Sequence, residues 1–170
     1  MSINSVSVVI NTGPLIGLAA ATGGWQVLQA IPKQWITTDR VIAELEAGRV
    51  GSPGRGLAVQ SPWLEIRNEP TAIPAYLLAG LDAGEASVIG LALSERIPLV
   101  AIDEQAGRAV ARTCGIRVTG SLGILMMAQA HGYPVNLSEC MDRMRAAGIW
   151  VSQVLAQTVL NLQDKNRREP

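Results

Sequence analysis

The sequence is short of the residues that build several common kinds of catalytic and metal site. It has no Phe, one His, two Cys and only 4% aromatic residues among 170. A single histidine, His131, placed at a helix end before Gly132, gives no support to a Ser-His-Asp arrangement, and we expect it to be structural or at the surface. The two cysteines lie far apart, without the spacing of metal ligands, so we expect core residues. Reduced thiols and no recognisable signal peptide predict a cytoplasmic protein.

The sequence also lacks an excess of charge and a long apolar run. Fourteen Lys and Arg balance fourteen Asp and Glu, so the formal net charge is zero. This balance argues against a protein that coats nucleic acid by bulk electrostatics, but it allows a local basic patch. Gly, Pro or charged residues interrupt every apolar stretch, which excludes a membrane span and predicts no membrane partner. Hydrophobic residues still make up 48% of the chain, ample for one core built from Leu, Ile, Val and Ala.

The most informative stretch is the first one, residues 6–18. Residues 6–10 are β-branched except for one serine, which is typical of a parallel strand covered on both faces. Pro14 then fits the first turn of a helix, where its missing N–H costs nothing. Asn11 and Thr12 therefore lie at the carboxyl end of a buried strand, where open α/β sheets place their ligand crevices.

Strand and helix patterns alternate along the rest of the chain. Strands are expected at 34–37, 63–66, 98–102 and 116–119, and helices at 40–47, 85–96, 105–114, 122–131 and 138–147. This alternation predicts a three-layer α/β/α sandwich with a short, mostly parallel central sheet. Residues 149–151 are expected to be extended, and a last helix to run from a Ser152 cap to about residue 164. We therefore expect one domain over 1–164 and a polar tail at 165–170.

Four polar residues follow strands or begin helices in ways that bring them to one crevice. Asn11 and Asp103 each end a hydrophobic strand, so they share the carboxyl edge of the sheet if those strands are neighbours. Glu85 lies in the first turn of the helix that leads to the Asp103 strand. Glu44 lies on the helix after the second strand. The hypothesis of a shared site rests on the set, since each member also has a simpler explanation.

Those simpler explanations are local and structural. Glu44 lies four residues after Arg40, which is the spacing of an ion pair on a helix surface. Asp82 and Glu85 form the pattern of a capping box. Asp103 could cap the helix that follows it, and Asn11 on its own would be read as an ordinary Asx turn before a proline.

Carboxylates gathered at one edge without Cys or His suit a hard cation. Mg²⁺ and Mn²⁺ prefer oxygen ligands, so the set predicts Mg²⁺ or Mn²⁺ as cofactor. One or two such ions can activate water and stabilise the oxygens of an in-line phosphodiester displacement. The sequence has no Walker loop and no dinucleotide-binding fingerprint, which leaves a nucleotide-binding regulator as a distant third hypothesis.

Together these motifs resemble the PIN domain, the fold of many metal-dependent ribonucleases and of the toxins of bacterial toxin–antitoxin pairs. The resemblance is closest to small, mostly uncharacterised bacterial and archaeal PIN-like proteins, and it covers about residues 6–160. Glu85 and Asp103 are 18 residues apart, as are the third and fourth acids of the family. The matching pieces are Asn11-Thr12-Gly13-Pro14-Leu15-Ile16, Val41-Ile42-Ala43-Glu44-Leu45, Leu81-Asp82-Ala83-Gly84-Glu85-Ala86, Ile102-Asp103-Glu104-Gln105-Ala106-Gly107-Arg108 and Val118-Thr119-Gly120-Ser121-Leu122-Gly123-Ile124-Leu125.

The resemblance implies a role for each site residue. The acidic quartet of the family, catalytic and metal-binding, falls on the four positions Asn11, Glu44, Glu85 and Asp103. Nucleic-acid contacts are expected from a second set: Thr12 beside the first acid, Ser121 at a helix N-terminus where backbone N–H groups could receive a phosphate, and Arg108 and Arg112 one turn apart on a helix. The alternative for both arginines is a solvated surface position.

Asn11 is the one departure from the family pattern, which has an aspartate there. Asparagine keeps an acceptor oxygen but loses the negative charge, so metal affinity and water activation should fall. Three explanations remain open: a weakened nuclease, a nuclease that recruits its ion with the other three acids, or a catalytically silent PIN fold. An engineered change that suppresses toxicity is a further one.

Two functions from different classes follow. The first is a Mg²⁺- or Mn²⁺-dependent ribonuclease acting on single-stranded RNA, the toxin-like member of a toxin–antitoxin pair. The second is an inactive PIN-fold module that binds RNA or a protein. The resemblance implies two kinds of protein partner, a small antitoxin-like protein and a second copy of the chain. The last helix has apolar residues to spare for such a contact, although packing on its own core is the simpler use of them: Val154, Leu155, Val159, Leu160 and Leu162.

Overall fold

A parallel five-stranded sheet forms the centre of the structure, a computed structural model that describes residues 6–168. All four strand pairings are parallel, so the sheet is wholly rather than mostly parallel. The order in the sheet is β3-β2-β1-β4-β5. The strands are β1 (Ser7–Ile10), β2 (Gln34–Thr38), β3 (Glu65–Arg67), β4 (Leu99–Ala101) and β5 (Arg117–Thr119).

Strand β1 lies in the middle of the sheet because its residues are apolar on both faces. Val9 aligns with Ile36 of β2 on one side and with Val100 of β4 on the other. The chain leaves β1 toward β2 and later returns to the opposite side at β4, so the order reverses between β1 and β4. Asn11 follows β1, and its N–H donates to the carbonyl of Ala101 over 3.0 Å. Such a reversal point is where parallel sheets form ligand crevices.

Eight α-helices and one short 3₁₀ helix, at Gln26–Ala30, are found among the described residues. The α-helices are α1 (Thr12–Thr22), α2 (Asp39–Ala47), α3 (Ala75–Gly80), α4 (Ala83–Ser94), α5 (Gln105–Thr113), α6 (Ser121–Ala130), α7 (Leu137–Ala146) and α8 (Gln153–Arg168).

The helices cover the sheet in two groups. Helix α4 packs against β1, β2 and β4 and is flanked by α2 and α3, whereas α1 packs with α6 and α7. Every residue of α4 from Gly84 to Ala92 is buried, which is typical of a helix enclosed on all sides. The predicted α/β sandwich is confirmed, and Glu85 enters the interior with α4.

The structure differs from the sequence expectations at a few boundaries. Helix α1 begins at Thr12, so Pro14 lies in its first turn as expected, and the extended backbone of Asn11 forms its N-cap. Residues 149–151, expected to be extended, form no strand. Helix α8 begins after Ser152, whose hydroxyl accepts from the N–H of Leu155 as a cap does, and it continues to Arg168. The last two residues of the predicted tail lie outside the described residues.

The helices are also too short or too polar for a membrane. Among residues 6–168, no helix combines the length and apolar character needed to cross a bilayer.

Gly17 provides a test of how closely α1 and α6 pack. A Cβ on Gly17 would overlap the Ser121 hydroxyl and lie 3.4 Å from Cε of Met144. We expect Gly17→Ala to lower the free energy of unfolding by about 1–3 kcal/mol, as overpacking does, although alanine favours helices. Urea denaturation measures the change.

Gly80 is the matched control, since it is also helical but has nothing within 4 Å of an added Cβ. Gly80→Ala should leave stability unchanged or raise it by up to about 1 kcal/mol. A Gly17→Ala variant as stable as the wild type would show that α1 and α6 are not in this close contact.

Candidate metal centre at the carboxyl edge of the sheet

The four predicted site residues lie around the carboxyl ends of β1 and β4. Asn11 is the N-cap of α1, Glu44 lies in α2, and Glu85 is the third residue of α4. Asp103 follows β4 by two residues. Their side chains contact neighbouring helices around this edge, and each of the four residues has different partners.

The Asn11 residue is buried, and it is its side chain, not its backbone, that lacks hydrogen bonds. Its side chain is 3% exposed, makes no capping hydrogen bond to α1, and leaves Oδ1 without a partner among the described protein atoms. The Asx turn considered for Asn11, in which Oδ1 would accept from the backbone, is therefore not formed. Because buried polar atoms nearly always have partners, an unpaired amide oxygen at a sheet edge leaves a position for a water, an ion or another ligand.

Glu44 contacts the first turn of α1 instead of its own helix. Its Oε2 accepts from Thr12 Oγ1 over 2.8 Å. The expected partner of the simpler explanation, Arg40, instead binds Glu69 at 2.8 Å. The carboxylate of Glu44 lies directly against Gly84, in the space that a Cβ there would occupy. Glu44 therefore connects α1, α2 and α4.

Glu85 has both a structural and an unassigned oxygen. The capping box predicted from the sequence is present: Asp82 Oδ1 accepts from the Glu85 N–H at 2.8 Å, and Glu85 Oε2 accepts from the Asp82 N–H at 3.4 Å. The other oxygen, Oε1, is buried and has no partner among the described atoms. It lies 2.6 Å from the position that a Cβ on Gly107 would take. One carboxylate therefore caps α4 and also leaves an oxygen for another use.

Asp103 caps a helix, but a different helix from the one expected. The first turn of the following helix, α5, receives no side-chain cap, and its N-cap residue is Glu104. Asp103 instead accepts from Ser121, at 2.7 Å from the N–H to Oδ1 and 2.5 Å from Oγ to Oδ2. The Ser121 amide, expected to receive a phosphate, thus points at Asp103. Ser121 belongs to the site through this carboxylate.

Three glycines make room for the carboxylates. Glu44 lies on Gly84, Glu85 on Gly107, and Asp103 on Gly120, where a Cβ would be 2.6 Å from Oδ1. Their backbone φ angles are not positive, so it is the missing side chain that matters. All three lie in the motifs that resemble the PIN family, but only the tertiary contacts assign them this role.

The negative charges at this edge repel one another. Burial raises the pKa of Glu85 most strongly, and the negative charges of Asp82, Glu104 and Glu44 raise it further, against a lowering by the Asp82 backbone hydrogen bond. The ionised form of Glu85 is therefore disfavoured in the absence of a cation. A bound cation would reverse this effect, because it favours the carboxylate.

The oxygen atoms at the edge fit a hard cation that also keeps water ligands. No group of three or more His, Cys, Asp or Glu within residues 6–168 is arranged to hold an ion by itself. Mg²⁺, however, usually binds one or two carboxylates and retains several waters. The unpaired buried oxygens of Asn11, an amide, and Glu85, a carboxylate, could serve as two ligands, with Glu44 and Asp103 beside the same edge. The donor set thus fits Mg²⁺ or Mn²⁺, not a sulfur-seeking metal.

The two predicted arginines lie in different environments. Arg108 is partly buried, and its Nη1 donates to the carbonyls of Ile102 at 2.7 Å and Thr119 at 3.0 Å. It therefore joins the ends of β4 and β5 next to Asp103. Arg112 is exposed on α5. Of the pair, Arg112 has the freer guanidinium.

The histidine and the two cysteines, whose side chains are reactive, lie away from these contacts. His131 is exposed at the C-cap of α6, as expected for a surface residue. Cys140 is buried in the core as predicted, and Cys114 is partly buried.

Comparison with known proteins gives one match. A family model described as a PIN domain matches residues 7–165. Searches of curated proteins and of solved structures find no significant match.

The raised pKa of Glu85 gives a prediction about stability. Because the folded-state pKa lies above the unfolded one, the metal-free protein loses stability as the pH rises through the folded pKa. Glu85→Gln removes the charge and can keep the capping box. In EDTA we expect this variant to melt about 2–4 °C above the wild type near pH 7.5, and at the same temperature at a pH low enough to protonate Glu85. Calorimetric melting measures both.

Glu139→Gln is the matched control, since Glu139 occupies the same position in the first turn of α7 but is exposed and paired with Arg143. We expect no gain in melting temperature from it near neutral pH. A Glu85→Gln variant less stable than wild type in EDTA at that pH would show that the Glu85 charge is not disfavoured.

Proposed function

Because the chain belongs to the PIN-domain family, we propose that it is a metal-dependent ribonuclease, whose activity Asn11 weakens, hydrolysing phosphodiester bonds of single-stranded RNA. PIN domains have a nuclease-like fold and generally use divalent metals. The observation that carries the proposal is the pair of buried, unpaired oxygens, Asn11 Oδ1 and Glu85 Oε1, at the edge where Glu44 and Asp103 also lie.

Four residues would hold the ion in this proposal: Asn11, Glu44, Glu85 and Asp103. A bound Mg²⁺ or Mn²⁺ supplies Lewis-acid activation of water and stabilises charge on the phosphodiester oxygens. The protein positions its ligands in advance. The Thr12 hydroxyl orients Glu44, and the Ser121 N–H and hydroxyl fix both oxygens of Asp103.

Asp103 and Glu85 differ in how they are held. Both oxygens of Asp103 accept from Ser121, through the first N–H of α6 and through the hydroxyl. Glu85 is in a different environment, since burial and then the neighbouring acids raise its pKa. A bound cation would therefore favour the ionised form of Glu85.

Asn11 sets the strength of the site. Its amide oxygen can ligate a hard cation, but it contributes no negative charge to balance the ion. An aspartate there would add a fourth acid to the edge that holds Glu44, Glu85 and Asp103, at a cost to the metal-free protein. Compared with aspartate, asparagine therefore lowers the affinity for metal and raises the stability of the metal-free protein.

RNA would approach the same edge through polar and basic groups. Arg112 is the exposed candidate for a phosphate contact, while Arg108, Thr12 and Ser121 act mainly by holding the edge in shape. With zero net charge, binding would depend on such local contacts more than on the overall field.

A protein partner is part of the toxin-like proposal. Side chains near the C-terminus are exposed although apolar, with Trp150 85%, Val154 79% and Leu155 48% exposed, and Leu162 is exposed too. Val159 is buried, so α8 uses only part of its apolar surface for its own core. We propose this surface for an antitoxin-like protein or a second copy of the chain.

The alternative is an inactive PIN-fold module that binds RNA or protein. Two observations favour it: Asn11 lacks charge, and both oxygens of Asp103 are already bonded to Ser121. Metal binding distinguishes the two functions, because the module needs no ion.

Titration calorimetry with Mn²⁺ and cleavage of single-stranded RNA test the enzyme. We expect weak Mn²⁺ binding and slow cleavage that EDTA abolishes, and a loss of at least about 10-fold in rate for Asp103→Asn. Asn11→Asp should raise Mn²⁺ affinity by about 10-fold or more, since it adds a charged ligand.

Asn136→Asp controls for the added charge. Asn136 is likewise an N-cap, but it is exposed and its side chain accepts from the N–H of Glu139. We expect this control to leave Mn²⁺ affinity unchanged. Absence of both binding and divalent-dependent cleavage, even after Asn11→Asp, would contradict the enzyme and favour the module.

Arg112 offers a separate test of RNA binding. We expect Arg112→Ala to weaken binding of single-stranded RNA in EDTA and to reduce the slope of log affinity against log salt by about 1, without changing the melting temperature. Fluorescence anisotropy over a salt series measures this.

Arg145→Ala removes the same charge from α7, where Arg145 pairs with Asp142 at 3.2 Å. It should leave RNA affinity close to that of the wild type. Equal losses in both variants would mean that the RNA responds to net charge and not to a contact at Arg112.

A further inference from the structure

Two buried hydroxyls lie outside the proposed ligand set and contact one another. Thr38 is the last residue of β2 and the N-cap of α2, and Ser87 lies in the second turn of α4. Both side chains are completely buried, and their oxygens are 2.7 Å apart. The contact joins two elements that are distant in the sequence but carry Glu44 and Glu85.

The direction of the hydrogen bonds can be deduced from the number of protons. Ser87 Oγ donates its one proton to the carbonyl of Gly84 at 2.8 Å. The bond between the two hydroxyls must then be donated by Thr38. Thr38 Oγ1 in turn accepts from the N–H of Val41 at 3.2 Å. A chain of three bonds runs from Val41 through Thr38 and Ser87 to Gly84.

Both ends of this hydroxyl chain lie beside a proposed ligand. Val41 lies one helical turn before Glu44, and Gly84 immediately precedes Glu85. Gly84 is also the residue on which the Glu44 carboxylate lies. These three hydrogen bonds therefore connect the backbone of α2 near Glu44 to the backbone of α4 next to Glu85.

A link between α2 and α4 is useful here, because the carboxylates of Glu44 and Glu85 repel each other. Both are carboxylates on neighbouring helices, and that of Glu44 lies against Gly84, the residue before Glu85. Repulsion tends to separate α2 from α4 when no cation is present. A neutral, fully satisfied chain of hydroxyls in a buried position resists that separation without adding charge.

We propose that Thr38 and Ser87 are positioning residues that fix the spacing of Glu44 and Glu85 for a divalent cation. The inference rests on the proposed metal-dependent function, and it assigns a role to two residues that touch neither substrate nor ion. Groups that orient ligands in this way commonly affect metal affinity by about 10- to 100-fold.

Mn²⁺ titration calorimetry on two variants tests the proposal. Ser87→Ala breaks the chain, and the double variant Thr38→Val with Ser87→Ala removes both hydroxyls. The double variant also removes the N-cap of α2 and leaves the Val41 N–H unpaired, at a cost of about 1 kcal/mol of stability. We expect both to bind Mn²⁺ at least about 10-fold more weakly than the wild type.

Two controls separate positioning from general stability. Ser94→Ala removes the same type of bond at the exposed far end of the same helix, where Ser94 Oγ donates to the carbonyl of Leu91 at 3.0 Å. Thr38→Ser keeps both the hydroxyl and the cap. Both should bind Mn²⁺ within about 2-fold of the wild type. Wild-type affinity in Ser87→Ala, or an equal loss in Ser94→Ala, would overturn the proposal.

Metal-free crystal structures of the wild type and Ser87→Ala separate this inference from the proposed function. If the wild type binds no Mn²⁺, the metal-dependent function fails, and the structures alone decide the positioning role. Movement of the Glu44 carboxylate away from Gly84 in the variant would support it. A Glu44 that stays on Gly84 and on Thr12 would overturn it.

Discussion

Like charges brought together at the carboxyl edge of a parallel sheet are the constraint on which the rest of this structure depends. Glu85 is 4% exposed, and burial and neighbouring acids oppose its charge. Glu44 and Asp103 lie at the same edge, each held by a hydroxyl from another element. Arg108 beside Asp103 offsets part of this charge, but folding must still hold the acids at one edge. The neutral Asn11 lowers that cost where a fourth acid would be expected, and the same residue would weaken binding of a cation.

The surrounding structure meets the constraint through small residues and neutral hydrogen bonds. Glycines under the carboxylates let helices approach so closely that each acid lies on a backbone. The Thr38–Ser87 contact links α2, which carries Glu44, to α4, which carries Glu85. The glycines and the neutral hydrogen bonds hold the acids in place without adding charge, so the protein can fold stably with no cation bound. What they leave unsatisfied are two oxygens, on Asn11 and Glu85, which is the feature that a cation would use.

Much of this could be predicted from sequence, because the deciding patterns are local. The apolar run of β1, the proline in the first turn of α1 and the capping box of Asp82 and Glu85 each follow a rule that involves neighbouring residues. Family resemblance then selected the four site positions. The partners of those residues could not be predicted, since they depend on the fold. Glu44 binds Thr12 instead of Arg40, and Asp103 caps α6 instead of α5. A helix rule offers one candidate partner, whereas the tertiary structure offers several, and the better-placed donor prevails.

If the buried oxygens of Asn11 and Glu85 are cation ligands, a crystal soaked in Mn²⁺ will show the ion between them. Anomalous scattering locates manganese without reference to activity or to an RNA substrate. We expect a peak at the β1–β4 edge, at about 2.0–2.4 Å from Glu85 Oε1 and Asn11 Oδ1. A soaked crystal with manganese bound elsewhere, or with both oxygens bonded only to protein or water, would contradict it.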